Sequence, residues 1–168
     1  MLASMKKFAL AGVILAASVL LAGCTPVGNG GGATPSPSSG SAANGCVNGE
    51  ADYTTANSKN TLSGACKKVV ISGDNISLTA ADVTELTISG SKNVVNTAVL
   101  GSVTIVGDTN TVKTATVGPV TVSGNSNTVT ALGPVGDVSV NGANDTVTTP
   151  GKIGSIKQSG IGNKIGAP

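Results

Sequence analysis

The side chains of this chain that could do chemistry are few, and its eight carboxylates are the candidates for acid–base work. The sequence contains no histidine and no arginine. Without histidine, the Ser-His and Cys-His pairs of nucleophilic catalysis and a histidine metal triad are excluded. The acidic residues are spread along the chain: Glu50, Asp52, Asp74, Asp82, Glu85, Asp108, Asp137 and Asp145.

The spacing of these acids does not favour catalysis or metal binding. Asp74 and Asp108 occupy equivalent positions of a 17-residue repeat, two repeats apart with Ser91 between them, which favours solvated carboxylates over an acid–base couple. Calcium-binding solenoids need an aspartate in nearly every repeat, whereas Asp145 is the one acid in a column of asparagines. We therefore predict a non-enzymatic chain with no metal and no cofactor. An enzyme acting on envelope glycans is a disfavoured alternative, because such sites need clustered Asp, Lys and Arg.

The N-terminus has the pattern of a lipoprotein signal peptide over residues 1–23. Lys6 and Lys7 precede an apolar run, and the segment ends in Leu21-Ala22-Gly23-Cys24, which resembles the bacterial lipobox. The pattern predicts lipidation of Cys24, an extracytoplasmic location on a bacterial membrane, and the lipid bilayer as a partner. An ordinary signal peptide or a short membrane helix is the alternative, and Met5 is an alternative start.

The two remaining cysteines predict a structural disulfide. Cys46 and Cys66 lie 20 residues apart, which is about one repeat, so they can stack at the spacing of neighbouring strands. An oxidising compartment favours the bond. Metal binding is the rival interpretation, but no histidine or third thiolate accompanies the pair.

Composition separates a tether from a folded domain. Residues 24–45 are mainly Gly, Ser and Pro and predict a flexible tether, and residues 46–168 form one domain of ordinary size. From Cys24 onward eight lysines balance eight acids, which argues against nucleic acid as a partner. Tyr53 is the one aromatic residue after the signal, so neither base stacking nor an aromatic sugar platform is available.

The elements that position these residues come from a repeat. Its glycines recur every 17, 17, 17, 18 and 18 residues: Gly73, Gly90, Gly107, Gly124, Gly142 and Gly160. Each repeat contains three triplets with inward, outward, inward alternation, and a unit of this size must stack on its own copies to bury a core. We predict an all-β fold, a small three-sided parallel β-solenoid (β-helix) of about six 17–18-residue coils.

The alignment of the repeats predicts which residues point inward on each face. The first face has pairs such as Val103/Ile105, and the second has pairs such as Asn110/Val112. The third face is predicted to carry a small residue and an aliphatic one: Ala81/Val83, Ala98/Leu100, Ala115/Val117, Gly133/Val135 and Gly151/Ile153.

The repeat glycine and an asparagine three residues later predict a stacked turn. Glycine would supply a positive φ where the chain corners, and the asparagine would bond its local backbone or stack on the asparagine one coil away. The ladder residues are Asn93, Asn110, Asn127 and Asn163, with Asp145 as a substitute. At the N-terminal end the disulfide and the segment from Cys46 to Asn60 can cap the stack. Gln158, Lys157 and Lys164 break the pattern of the last coil, which predicts a C-terminal cap rather than a head-to-tail fibre.

Threonine is the regular feature of the predicted surface. A candidate binding face is formed by outward residues of the second face: Thr109, Thr111, Thr128, Thr130, Thr146 and Thr148. Flat ranks of Thr-x-Thr resemble ice-binding proteins, so an ice- or surface-binding module is one alternative. Hydroxyl and amide faces could equally contact a cell-wall or surface polysaccharide or another envelope protein. Threonine is also an ordinary outward strand residue, and Lys113 interrupts the ranks.

The run from Gly64 to Asn75, followed by Ser-Gly-x-x-Asn-x-Val units, resembles the DUF3060 family of secreted and lipid-anchored bacterial proteins. The likeness covers nearly all of residues 46–168. It implies a repeat domain of unknown function with no established catalytic residues to carry over. The leading hypothesis is a non-enzymatic envelope lipoprotein whose rigid solenoid is a structural or binding module.

Overall fold

The computed structural model describes residues 45–168. The predictions for the signal peptide, for Cys24 and for all of the tether but its last residue lie outside these residues. Within them the fold is all-β, with these strands in chain order: β1 Glu50–Tyr53, β2 Lys59–Leu62, β3 Cys66–Ile71, β4 Ser77–Ala80, β5 Asp82–Ile88, β6 Val94–Asn96, β7 Val99–Ile105, β8 Thr111–Thr114, β9 Thr116–Val117, β10 Val120–Val122, β11 Thr128–Ala131, β12 Val138–Asn141, β13 Thr146–Thr148, β14 Ile156–Ser159 and β15 Lys164–Gly166.

The strands stack into two long parallel sheets. One runs in the order β1-β3-β5-β7-β10-β12-β14, with β9 also paired to β7, and the other runs β15-β13-β11-β8-β6-β4-β2. Each coil contributes one strand to each sheet, and equivalent repeat positions are in register, as where Val120 pairs with Val103 on one side and Val138 on the other. The predicted parallel β-solenoid is confirmed, with seven coils when the less regular first coil is included.

The third face is a narrower ladder that joins the first. Cys66 pairs with Val83, Val83 with Leu100, and Leu100 with Val117, and single bridges continue the column through Val135 to Ile153. In β5 and β7 this ladder and the first face belong to one strand that bends between them. The cross-section is therefore three-sided, although only two sheets are long.

The predicted apolar columns of the first and second faces form the core. Val103 and Ile105 on the first face and Val112 on the second are buried to within 1% of complete coverage. Along each strand the side chains point alternately inward and outward, as the burial pattern of β8 shows. Because each column is one residue wide, its apolar contacts come from the coils above and below and from the facing sheets.

The predicted small-residue column of the third face is wrong. Ala81, Ala98 and Ala115 are exposed. The inward residue comes one position earlier in the 17-residue coils and two positions earlier, before Gly133 and Gly151, in the 18-residue coils. These earlier residues are buried: Ala80, Thr114, Ala131 and Thr149. The chain therefore corners one residue sooner than the alternation suggested in the 17-residue coils, and two residues sooner in the 18-residue coils.

Threonine is tolerated at this buried corner because its hydroxyl donates a hydrogen bond to a backbone carbonyl. Thr114 Oγ1 lies 2.9 Å from the carbonyl of Thr116 and 3.1 Å from that of Ala98, and Thr149 Oγ1 donates to the carbonyl of Gly133. A buried hydroxyl with such a partner does not carry the penalty of an unpaired polar group.

The N-terminal end is partly closed by a disulfide and a tight hairpin. Cys46 and Cys66 form the predicted disulfide, with Cα atoms 5.8 Å apart. Val47 and Glu50 exchange two backbone hydrogen bonds across Asn48 and Gly49, whose φ values of 53° and 85° are those of a type I′ turn. The hairpin covers the outer edge of β1 at Glu50.

The C-terminal end has no such cover within the described residues. β14 and β15 are the last strands of their sheets, and every residue of β14 is exposed. The predicted C-terminal cap rests on the polar and charged side chains of this coil, which occupy ordinary strand positions. No segment of residues 45–168 crosses its edge.

The burial of single columns yields a test of the inward and outward assignment. Val112→Asp should unfold the domain, because an unpaired charge would enter a core with no room for solvent. Thr111→Ala, one residue away on the outward side, should cost less than about 1 kcal/mol. Thermal unfolding followed by circular dichroism compares the two variants. Equal tolerance of both would show that the assignment is wrong.

Candidate functional site

The most regular polar structure in the molecule is an amide ladder along one corner. The Oδ1 atom of each ladder residue accepts a hydrogen bond from the backbone N–H of its equivalent one coil earlier. Asn93 N donates to Asn110 Oδ1 (2.9 Å), and Asn110 N donates to Asn127 Oδ1 (2.9 Å). The ladder begins at the backbone N–H of Ile76 and ends at Asn163. Stacking of the asparagines between coils is thus confirmed.

The second amide atom of the ladder ties it to the repeat glycines. Asn110 Nδ2 donates to the carbonyl of Gly90 (2.9 Å), and Asn127 Nδ2 donates to that of Gly107 (3.0 Å). Asn110 and Asn127 therefore each satisfy one orphan N–H and one orphan C=O of the bend, where the sheet ladders are interrupted. The ladder is structural, and its side chains from Asn93 to Asp145 are almost fully buried.

The predicted reason for the repeat glycines is wrong in all but one case. Gly160 has a positive φ of 94°, but the other five glycines do not. A Cβ on Gly90, Gly107, Gly124 or Gly142 would instead collide with the backbone carbonyl of the glycine one coil earlier. Glycine is required here because two main chains approach closely, and not because φ is positive.

The positive φ belongs to the residue two positions after each of these glycines. Asn75, Lys92, Thr109, Ser126 and Asn144 have φ between 55° and 60°. Asparagine tolerates this left-handed region, whereas a β-branched residue such as Thr109 is strained there. Thr109 is thus an exposed corner residue and does not lie in the β8 strand with Thr111.

Asp145 fits the ladder on one side only. Its Oδ1 accepts hydrogen bonds from Asn127 N (2.8 Å) and Asn127 Nδ2 (3.1 Å), as an asparagine oxygen would. Its Oδ2 stands where the other ladder residues carry a donor, and it is buried without a partner. Asn93 Nδ2, near the start of the ladder, is also buried and unpaired.

The outward carboxylates of the corners bind main-chain groups of the following coil. Asp74 Oδ1 accepts from Ser91 N (2.6 Å), and Asp108 Oδ1 accepts from Asn125 N (2.7 Å). Asp137 does the same with Ser155 N (2.8 Å), and these hydrogen bonds from Ser155, helped by the charge of Lys157, hold the pKa of Asp137 below its usual range. No group of three potential metal-ligating side chains occurs among residues 45–168.

Five of the six threonines of the candidate binding face are in two adjacent columns. Thr111 pairs with Thr128, and Thr128 pairs with Thr146. The neighbouring column contains Thr130 and Thr148, with Lys113 before them. All five are partly exposed, and parallel register spaces equivalent hydroxyls about 4.8 Å apart along the axis.

A second hydroxyl column, which the sequence analysis missed, lies on the first face. Thr87, Thr104, Thr121 and Ser139 pair in consecutive coils. The same alternation that located the inward residues could have located this column, because its members lie between the inward pairs. The molecule therefore presents hydroxyl ranks on two faces, and those of the second face are wider because two columns adjoin.

The first coil contains a tyrosine in an unusual setting. Tyr53 packs against the edge of the core, and its Oη atom is buried without a hydrogen-bond partner. Burial raises the pKa of this phenol. An open cleft of about 460 Å³ lies beside it, lined by residues of the hairpin and β1 from Gly45 to Tyr53.

Comparison with known proteins gives no relative for this arrangement. No known family model, no curated protein and no solved structure matches the chain significantly. Among residues 45–168, no helix has the length and apolar character needed to cross a bilayer.

The mismatch at Asp145 yields a second test. Asp145→Asn should raise the free energy of unfolding by about 1–2 kcal/mol, because the new Nδ2 can donate to the carbonyl of Gly124 as its equivalents do one coil away. Asn127→Asp is the matched control and should destabilise, since it would replace a donor already bonded to Gly107. Urea unfolding measures both. A loss of stability in Asp145→Asn would mean that the carboxylate is better satisfied than its surroundings indicate.

Proposed function

We propose that this chain is a non-enzymatic envelope lipoprotein whose solenoid is a rigid module that binds a hydroxyl-rich polymer, such as a cell-wall or surface polysaccharide. The observation that carries the proposal is the double column of threonines on the second face. Thr111, Thr128 and Thr146 are in register, and Thr130 and Thr148 lie beside them on the same flat sheet. Such a surface offers donors and acceptors at a repeat of about 4.8 Å.

The charge distribution supports a neutral ligand. The threonine columns of coils four to six contain Lys113 and no acid, and the carboxylates Asp108 and Asp145 are engaged at the corner with backbone N–H groups. A polymer recognised here would therefore meet mainly hydroxyl and methyl groups, with Lys113 as the one charge in these columns. Since the strands are held on both sides by neighbouring coils, the hydroxyls are preorganised, which lowers the entropic cost of binding.

The disulfide and the lipobox pattern support the location. The disulfide between Cys46 and Cys66 is of the kind found in oxidising compartments, and Cys24 ends a sequence of the lipoprotein type. The resemblance to the DUF3060 family remains a prediction from the same stretch of sequence. Together these features favour a domain held at a membrane surface by an acylated Cys24.

Binding to purified envelope polysaccharide, measured by co-sedimentation, tests the proposed ligand. Thr128→Lys should weaken binding roughly tenfold, because a long charged side chain would project from the centre of the flat rank. Thr121→Lys, at an outward strand position of the first face, is the matched control and should leave binding unchanged. Equal effects of the two variants, or no binding by the unchanged protein, would refute the second face as the polysaccharide site.

The same rank also supports ice binding, because hydroxyls and methyls repeat in two adjacent columns. Lys113 interrupts those columns and the array spans only three coils, so the polysaccharide is preferred. Thermal hysteresis measured on the same variants separates the two. Hysteresis that Thr128→Lys abolishes and Thr121→Lys retains would assign the face to ice instead.

The lipid anchor has its own test. Cys24→Ser should move the protein from the membrane fraction to the soluble fraction and abolish incorporation of a palmitate analogue, because a hydroxyl cannot form the thioether of a lipoprotein. Fractionation and mass spectrometry of the mature N-terminus read both effects. Cys46→Ser is the control, which should keep the lipid while losing the disulfide. Lipid incorporation that survives Cys24→Ser would contradict the assignment.

A further inference from the structure

The C-terminal end of the solenoid presents unused backbone groups. Val138 N donates to Ser155 O (2.8 Å) and Gly142 N to Ser159 O (3.4 Å), so the outward residues of β14 bond back to β12. Alternation in a parallel ladder then directs the N–H and C=O groups of Ile156 and Gln158 away from β12. No strand within residues 45–168 pairs with that side of β14.

The N-terminal end presents the complementary set. Lys68 N donates to Gly49 O and Ser72 N to Tyr53 O, so Tyr53 and its inward neighbours bond forward to β3. The backbone N–H and C=O groups of Glu50 and Asp52 therefore point away from β3, toward the N-terminal end of the stack. This is the opposite direction to the backbone groups of Ile156 and Gln158. The hairpin uses the groups of Glu50, and it leaves those of Asp52 facing the cleft beside Tyr53.

We propose that a second copy of this chain stacks head to tail, with its first coil on the last coil of the first. The stacking continues the register that runs through the molecule. Asp52 pairs with Val70 in the column that ends at Lys157, and Tyr53 pairs with Ile71 in the column that ends at Gln158. In that register the first coil of a neighbour takes the place of an eighth coil. It is joined by strand addition between the open edge of β14 and the part of β1 at Asp52, because the hairpin already occupies the edge of β1 at Glu50.

Charge favours this orientation over the reverse. No acidic residue follows Asp145, so the last coil carries Lys157 and Lys164 and no acid of its own, although Lys157 lies near Asp137 of the preceding coil. The first sheet of the first coil carries Glu50 and Asp52. Head-to-tail stacking places Asp52 of one copy beside Lys157 of the other. Tail-to-tail stacking would set the lysines of two identical ends against each other.

The inward residues of the two ends are also complementary. Ile156 is 50% exposed in a column whose members in the five preceding coils are buried, and its counterpart in the first coil is the partly buried Ala51. Covering this isoleucine removes apolar surface from water. In the next column Gln158 of one copy would stack on the partly buried Tyr53 of the other.

Two features oppose the stacking: the hairpin on the edge of β1 at Glu50 and a pair of like charges in the second sheet. Lys59 and Lys164 end the same column of the second sheet, so they would become neighbours across the junction. Both side chains are exposed, and repulsion between solvent-exposed charges is worth little. The opposition is therefore smaller than the gain from the apolar and hydrogen-bonding groups of the first sheet.

Sedimentation velocity of the full chain in a mild detergent, over a range of protein concentrations, tests the proposal. Species larger than the monomer should form as concentration rises, and Lys157→Asp should weaken their association roughly tenfold. Asp52→Lys should weaken it similarly, and the two changes combined in one chain should restore it. Lys113→Asp and Glu85→Lys are matched controls within the stack and should leave association unchanged. Circular dichroism verifies that each variant is folded.

Cysteine cross-linking distinguishes the orientations. Single Lys157→Cys and Asp52→Cys chains should cross-link when mixed, above the background that unchanged chains show. Cross-linking of Lys157→Cys with itself would indicate tail-to-tail pairing and overturn the proposal. So would a chain that stays monomeric at all accessible concentrations, or an association that neither charge change weakens. The proposal does not depend on the polysaccharide site, and Thr128→Lys should leave the assembly intact.

Discussion

The structure depends on one constraint, which is that the backbone of every coil lies in register on the coil before it at about 4.8 Å. At the glycine corner this leaves no space for a Cβ between successive main chains, so Gly90, Gly107, Gly124 and Gly142 follow one another. The asparagine ladder exists for the same reason, since the bend interrupts the sheets and its backbone groups need other partners. Each recurrent residue type is thus a response to stacking, and none requires a ligand.

The sequence was sufficient to predict the buried columns, whose residues follow the two-residue alternation of a β-strand. The alternation of valine and isoleucine located the buried columns, such as that of Val103 and Val120, because burial follows directly from period two. The close approach of main chains at the repeat glycines, in contrast, depends on how two coils meet. Within a single coil, a glycine is explained equally well by a positive φ. The corner before the third face was misplaced because Thr114 and Thr149 look outward by polarity, and only their carbonyl acceptors explain their burial.

The positions of five of the six residues of the candidate binding face were predicted correctly, because they also follow from strand pairing. Strand threonines such as Thr128 and Thr146 stay in the rank because parallel pairing preserves their alignment. Thr109 leaves it because the turn imposes a left-handed φ, a property that no side-chain pattern encodes. The hydroxyl column of the first face shows that threonine also occurs wherever an outward strand residue is needed. A function for the second face therefore rests on its width and not on its composition.

The asparagine ladder has a direction, because each side chain reaches back to the coil that precedes it. The backbone N–H of the ladder residue in each coil is bonded by the side chain of the ladder residue in the next coil, which is synthesised directly after it. The solenoid can therefore lengthen from its N-terminus with a single unsatisfied rung at any moment, in the manner of a one-dimensional lattice. Gain or loss of a whole coil changes the length of the rod without disturbing the remaining rungs, so evolution can adjust its reach by repeat duplication alone.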